Sequence, residues 1–185
     1  MTATAELGAL SADSAYTPAS GPSGSENAIP PVDRSGSSYL IISYGQGENA
    51  VVARRWLVEA APLASVQWLT FRELDAETRR QLTRSLRASS NGIRVMVVGA
   101  CYDVMQTIAL ARSCGAIEEE LCSLITGARD IPIYCAHCRT TSRVQNEPGE
   151  LALCPCCSRT LEIHLHMSTS RGSYLASDAR ARDLP

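Results

Sequence analysis

The sequence predicts an α/β protein in two parts: a small parallel-sheet, three-layer domain, then a C-terminal β-ribbon module. Two observations lead there. From Ser38 to Thr126, apolar runs of strand length alternate with stretches of helical period. Strands and helices in alternation build a parallel sheet with helices on both faces. Beyond Pro132 the apolar runs shorten and surround two C-x-x-C pairs, Cys135-Ala-His-Cys138 and Cys154-Pro-Cys-Cys157, with fifteen residues between them.

Each element has its own signal. Residues 1–37 are rich in Ser, Ala, Gly and Pro and poor in large apolar side chains. Such a segment buries too little to offset its ordering entropy, so it reads as a disordered N-terminal tail or an arm that orders on a partner. Tyr39 to Tyr44 is a largely apolar run, as expected of a strand covered on both faces. Gly45-Gln-Gly47 makes the turn into a helix from Ala50 to Ala61, with Glu48 or Asn49 as its cap and Pro62 as its stop. Ser65 to Phe71 is a second strand. Glu73 to Ala88 is an amphipathic helix with Leu74, Leu82 and Leu86 inward and four arginines outward. After the Asn91-Gly92 turn, Ile93 to Gly99 is a third strand. Tyr102 to Cys114 is a third helix closed by Gly115. The later half of Ile117–Thr126 is a fourth strand. The expected boundaries are therefore 1–37 tail, 38–130 α/β domain, 131–167 ribbon and 168–185 C-terminal tail.

Composition excludes several classes. The net charge of −2 supplies no global basic field for nucleic acid. All 17 basic residues are arginines. Residues 1–37 contain neither a basic n-region nor a long apolar core, and no run approaches 18 apolar residues. The expectation is a cytoplasmic, reduced protein that does not associate with membrane. No Ser-His-Asp order, nucleophile elbow, H-E-x-x-H or Walker loop is present. The adjacent acids Glu118 to Glu120 read as a solvated surface.

Within that frame the eight cysteines divide. Cys135, Cys138, Cys154 and Cys157 have the spacing of a four-thiolate metal site, because each C-x-x-C knuckle is a tight turn presenting two sulfurs to one ion. Zinc is the expected metal. Iron in a rubredoxin-like site is the alternative, since tetrahedral all-sulfur geometry suits either. Two disulfides or free core thiols are the bland reading. Cys101, Cys114 and Cys122 read as small buried apolar residues, and Cys156 as a spare thiol or alternative ligand. A closed four-cysteine site keeps no coordination position for chemistry.

Two further signals are weaker. Gly45-Gln-Gly47-Glu-Asn-Ala50 fits G-x-G-x-x-A between strand and helix, a context that binds dinucleotides. However, Glu48 opposes phosphate, and Trp68 to Phe71 lacks the acid that would hold a ribose. A plain strand-to-helix turn is the stronger reading. His137 lies inside a knuckle. His164 and His166 are two apart, which on a strand puts them on one face, for a partner or a second metal.

The C-terminal stretch carries a specific resemblance. Ile133-Tyr-Cys-Ala-His-Cys138, Cys154-Pro-Cys-Cys157, Leu161 to Ser168 and Gly172-Ser-Tyr-Leu175 resemble the small subunit of bacterial dimethylamine monooxygenases, the DmmA family. There a YCxHC knuckle, a CPGCG knuckle and a segment like HxSRRxGAYLG occur in this order. The chain departs at Cys156 and Ser158, where the family has glycines, and at Thr169-Ser170, where it has arginines. Upstream, Val97 to Glu120 resembles the last strand-helix-strand of ferredoxin-reductase nucleotide domains, with Gly99-Ala-Cys101 in place of the C-G-P turn. The resemblance implies a reductase-like domain that has lost its nucleotide, with Gly45, Gly47 and Gly99 as vestigial cofactor-binding positions. It implies an accessory subunit of an NAD(P)H-dependent amine monooxygenase that demethylates a secondary amine and releases formaldehyde. Haem, flavin and iron–sulfur centres would lie on partner subunits. His164, His166, Arg171 and Tyr174 are the expected docking residues. An iron electron carrier and a nucleic-acid-binding zinc ribbon are the rivals.

Overall fold

In the computed structural model, which describes residues 29–127 and 130–181, two sheets share one helix between them. The first sheet is parallel and four-stranded. Its strands are β1 (Ser38–Tyr44), β2 (Ser65–Phe71), β3 (Ile93–Ala100) and β4 (Leu121–Gly127), in the order β2-β1-β3-β4. Helices α1 (Glu48–Ala60), α2 (Ala76–Arg87) and α3 (Cys101–Ser113) make the crossovers.

β1 explains why its sequence is apolar at every step. It lies between β2 and β3 and is covered on both faces. Tyr39 and Ile41 pack with Val52, Ala53 and Trp56 of α1. Leu40, Ile42 and Tyr44 pack with Leu82 of α2 and Val104 of α3. Strand periodicity sends alternate residues to opposite faces, so a central parallel strand needs apolar residues throughout. β2 and β4, at the edges, are only half-buried.

The helix ends differ in detail from the expectation. α1 starts at Glu48, and its N-cap is Gly47, with φ +68, rather than Glu48 or Asn49. Asn49 instead donates its side-chain N–H to the Tyr44 carbonyl at 2.6 Å, closing the turn from behind. α2 starts later than expected because Asp75 caps it, accepting from the Thr78 N–H at 2.7 Å. The acids at 118–120 form a short 3-10 turn that is more than solvated surface. Glu118 pairs with Arg112 at 2.5 Å, and Glu120 accepts the Gly92 N–H at 2.9 Å.

The expected N-terminal tail lies partly outside the described residues, at 1–28. The remainder is tied down. Trp56 Nε1 donates to the Pro30 carbonyl at 2.9 Å, and Arg94 Nε to Asp33 Oδ2 at 2.6 Å.

The second sheet is five-stranded: β5 (Ile131–Cys135), β6 (Thr141–Val144), β7 (Leu151–Leu153), β8 (Thr160–Ser168) and β9 (Ser173–Asp178), in the order β6-β5-β9-β8-β7. It is two hairpins, β5–β6 and β7–β8, with β9 between them. Residues 168–185 were expected as a tail, but Ser173–Asp178 within them is the central strand of this sheet, parallel to β5 and antiparallel to β8. Nearly every second residue of Tyr174-Leu-Ala-Ser-Asp178 is small or polar, so the segment carries no apolar signal of a central strand. Ala176, fully buried, lies in register with Cys135 of β5 on one side and Ile163 of β8 on the other.

Candidate metal centre

The loops of the two hairpins are the two C-x-x-C knuckles, built alike. In the first, the Cys135 N–H donates to the Thr140 carbonyl at 3.0 Å and the Arg139 N–H to the Cys135 carbonyl at 2.8 Å. In the second, the Cys154 N–H donates to the Arg159 carbonyl at 2.8 Å and the Ser158 N–H to the Cys154 carbonyl at 2.9 Å. In both, the residue after the second cysteine is left-handed: Arg139 at φ 58 and Ser158 at φ 56. This region favours glycine, so each knuckle holds a non-glycine residue against its backbone preference. One position differs for a clear reason. The Ala136 N–H donates to the Ala176 carbonyl of β9 at 2.9 Å, whereas its counterpart Pro155 has no N–H to satisfy.

All four sulfurs lie within 4.8 Å of one another. Cys135 and Cys157 are 3.8 Å apart, and Cys138 and Cys154 are 3.7 Å apart. These separations are far longer than a disulfide bond of about 2.05 Å. A tetrahedral ion with metal–sulfur bonds of about 2.3 Å requires sulfur–sulfur edges of about 3.8 Å. The donor set therefore fits a four-thiolate metal. Cys135 and Cys154 are buried, while Cys138 and Cys157 face outward in part.

The thiols influence one another's ionisation. At Cys138 burial opposes the charge, but the Thr140 N–H and hydroxyl and the neighbouring Cys135 and Cys154 outweigh it, bringing the pKa to about 6. At Cys157 the Arg159 N–H favours the thiolate, yet burial and the other three cysteines push the pKa up to about 12. The Cys138 thiolate forms readily, while those of Cys135 and Cys157 are resisted. A bound cation is the group that lets several thiolates coexist at this spacing.

The histidines are not ligands in this arrangement. Among the described residues, the four cysteines form the one group of His, Cys, Asp and Glu side chains placed to hold a metal ion. His137 and Cys156 occupy matching knuckle positions and are both exposed. The expectation that His164 and His166 share a face rests on unbroken alternation, and β8 does not provide it. Its pairing with β9 shifts register between Ile163 and Met167, because β8 spends four residues where β9 spends two. His164 Nε2 is 2.8 Å from Ser177 Oγ, and His166 is exposed. Arg171 is exposed and stacks over the Tyr134 ring at 4.2 Å. Tyr174 packs toward the ribbon core, opposite Ile133, and the neighbouring Leu175 faces outward.

Gly45, Gly47 and Gly99 gather near the carboxyl ends of β1 and β3. The sheet order reverses there, and open parallel sheets bind ligands at such a point. The space is taken. A Cβ at Gly99 would stand 2.8 Å from the Tyr44 Cβ, so this glycine makes room for a tyrosine. Tyr44 is 2% exposed, and its hydroxyl is 2.6 Å from Thr107 Oγ1. The first turn of α3 is occupied from the ribbon side: the Tyr102 N–H donates to the Asp130 carbonyl at 2.8 Å, and the buried Asp103 carboxylate pairs with Arg143 of β6 at 2.7 Å.

Comparison with known proteins follows these features. Residues 132–176 match the family model of the dimethylamine monooxygenase subunit DmmA-like C-terminal domain. The C-terminal module is similar to that domain. Its matched range ends at Ala176, inside β9, so the domain includes the strand that was expected to be tail. Over 148 residues the chain is 26% identical to the heme-dependent oxidative N-demethylase delta subunit of Ectopseudomonas mendocina (strain ymp), covering 78% of this chain and 81% of that relative. Both support the resemblance to the DmmA family. A phthalate dioxygenase reductase, described as a modular structure for electron transfer from pyridine nucleotides to [2Fe-2S], aligns at a TM-score of 0.39 and 13% identity. That alignment covers 64% of this chain and about half, 47%, of the reductase. Among the described residues no helix is long and apolar enough to cross a membrane.

Proposed function

We propose that this chain is an accessory, non-catalytic subunit of an oxidative N-demethylase complex acting on a secondary amine with NAD(P)H as reductant. The observation that carries this is the 148-residue likeness to a subunit of a heme-dependent oxidative N-demethylase. The DmmA-like match over the ribbon supports it. Haem, flavin and iron–sulfur centres belong, in this reading, to the partner subunits. The chain's own contribution is a docking scaffold, α/β on one side and ribbon on the other.

Zinc at Cys135, Cys138, Cys154 and Cys157 closes the ribbon. It holds both hairpin loops together and leaves no open position for substrate. The nucleotide-like turn is vestigial. Tyr44 packed against Gly99 and the ribbon contacts at the first turn of α3 support that reading. His164, His166, Arg171 and Tyr174 lie on or beside the β8–β9 hairpin, and we assign the partner contact to that region, with the exposed Arg171 as its most available member.

Tagged chain expressed beside its partners is expected to retain a haem-containing subunit and a flavin reductase on purification. Recovery of the chain alone, with full demethylase activity in the flow-through, would defeat the assignment. The metal is tested separately. Zinc analysis is expected to give one ion per chain with no visible thiolate–iron bands; such bands would make the centre an electron carrier. A saturating signal on NADH titration of the isolated chain would end the vestigial reading.

A further inference from the structure

We infer that metal binding in the ribbon is coupled, through α3, to the folding of the parallel-sheet domain. The inference rests on the proposed metal centre, but not on the proposed subunit role. It starts from the burial of α3. An ordinary surface helix hides one stripe and shows the other to water. α3 buries residues in both directions. Val104, Leu110 and Ala111 pack into the core beneath α2, whereas Cys101 and Met105 pack into the core of the second sheet. That second core contains the ligands Cys135 and Cys154 themselves.

Polar contacts reinforce the seam. Gln106, 5% exposed, donates from Nε2 to the carbonyls of Arg171 and Gly172 at 2.8 Å each, and its Oε1 accepts from Arg79 of α2 at 3.2 Å. Gly172 sits so close to α3 that a Cβ there would lie 2.4 Å from the Met105 carbonyl oxygen. Asp103, 3% exposed, accepts the Leu74 N–H at 2.8 Å on one side and Arg143 at 2.7 Å on the other. Arg143 also pairs with Asp130 and lies over the Tyr102 ring at 4.3 Å.

The route follows from the hairpins. Arg143 is on β6, whose pairing with β5 is closed at one end by the first knuckle. Without metal the four thiols lose their common partner and the hairpin loses that closure. Release of Arg143 then leaves the Asp103 carboxylate buried without its counter-ion, an expensive state. Metal binding and folding are thermodynamically linked wherever the site exists only in the folded chain. The seam extends that linkage across the molecule.

The protein contains its own reporter. Both tryptophans, Trp56 and Trp68, lie in or beside the α1-facing core of the parallel sheet, away from the ribbon. The experiment is urea unfolding of the full chain followed by tryptophan emission, zinc-loaded and metal-stripped, after metal content has been measured. Removing zinc is expected to move the tryptophan midpoint to lower urea and to raise the unfolded fraction at fixed urea at least tenfold. Gln106→Met and Gly172→Ala are expected to bind Co²⁺ with an unchanged tetrathiolate spectrum, while their tryptophan midpoints respond less to metal. A wild-type midpoint identical with and without zinc overturns the coupling. Full metal dependence retained in both variants overturns its assignment to the seam. A chain that takes up neither zinc nor Co²⁺ removes the premise, and the metal assay returns that result before any unfolding curve.

Discussion

The two sheets of this protein solve the same problem by different means. The parallel sheet is held by apolar burial. β1 is covered on both faces, and Trp56, Leu82 and Val97 are each fully buried around it. The second sheet also buries apolar residues, Ile133, Leu161 and Ile163 among them, but its core includes the thiols Cys135 and Cys154. Its strands are three to nine residues long, and its core includes Ala152 and Ala176 among a few larger residues. Its hairpins are closed by cysteine knuckles. Small domains that cannot build enough core use metals or disulfides for this purpose. The difference teaches where chemistry can be placed. At the point where a parallel sheet usually binds a ligand, this chain has packed Tyr44 and the α3 seam. The only cluster of metal-binding type among the described residues stands on the second sheet.

That contrast can be broken from the ribbon side first. Cys154→Ser is expected to abolish metal uptake and unfold the ribbon, because structural zinc sites contribute on the order of 10 kcal/mol of binding energy to folding. Metal analysis together with the loss of β-sheet signal checks it. On the other sheet, Trp56→Ala is expected to cost about 3–5 kcal/mol by cavity formation while leaving the Co²⁺ spectrum of the ribbon intact. A lost spectrum would mean that apolar burial, too, holds the knuckles.

Smaller changes sharpen the comparison. Ser158→Gly is expected to stabilise the ribbon by up to about 1 kcal/mol, since the left-handed backbone at φ 56 costs a side-chain-bearing residue about that much. A metal-loaded thermal melt measures the gain. The smallest effect concerns the N-terminal approach to β3. Hydrogen bonds from Ser35 and Arg94 lower the Asp33 pKa from 3.8 to about 2. A depressed carboxylate contributes stability above its unfolded pKa and loses it as pH falls through the folded value. The difference in melting temperature between the wild type and Asp33→Asn is therefore expected to be constant at neutral pH and to vanish between about pH 4 and 2.

The parallel sheet was readable because its signals are local. The length of an apolar run, Pro62 after α1 and Gly115 after α3 each act within a few residues. The four cysteines were readable for the same reason, because a C-x-x-C knuckle forms within its own turn. The ends of elements were less so. Gly47 caps α1 in place of Asn49, since the Asn49 side chain found the Tyr44 carbonyl instead.

Residues 173–178 show why the rest was hidden. As an isolated segment they contain too little apolar surface to announce a strand. They become the central strand of the second sheet because both hairpins leave backbone groups for them to join, with Cys135 and Ile163 on either side of Ala176. The same holds for His164 and His166, which lie in the stretch of β8 where the pairing with β9 shifts register. Composition and spacing determined an α/β domain followed by a four-thiolate site. The meeting of those parts on α3, and the packing of Tyr44 against Gly99, were decided only by tertiary structure. Long-range contacts such as those from Gln106 to Gly172 and from Asp103 to Arg143 leave no periodicity in the chain, because each joins residues that become neighbours only after both sheets have formed.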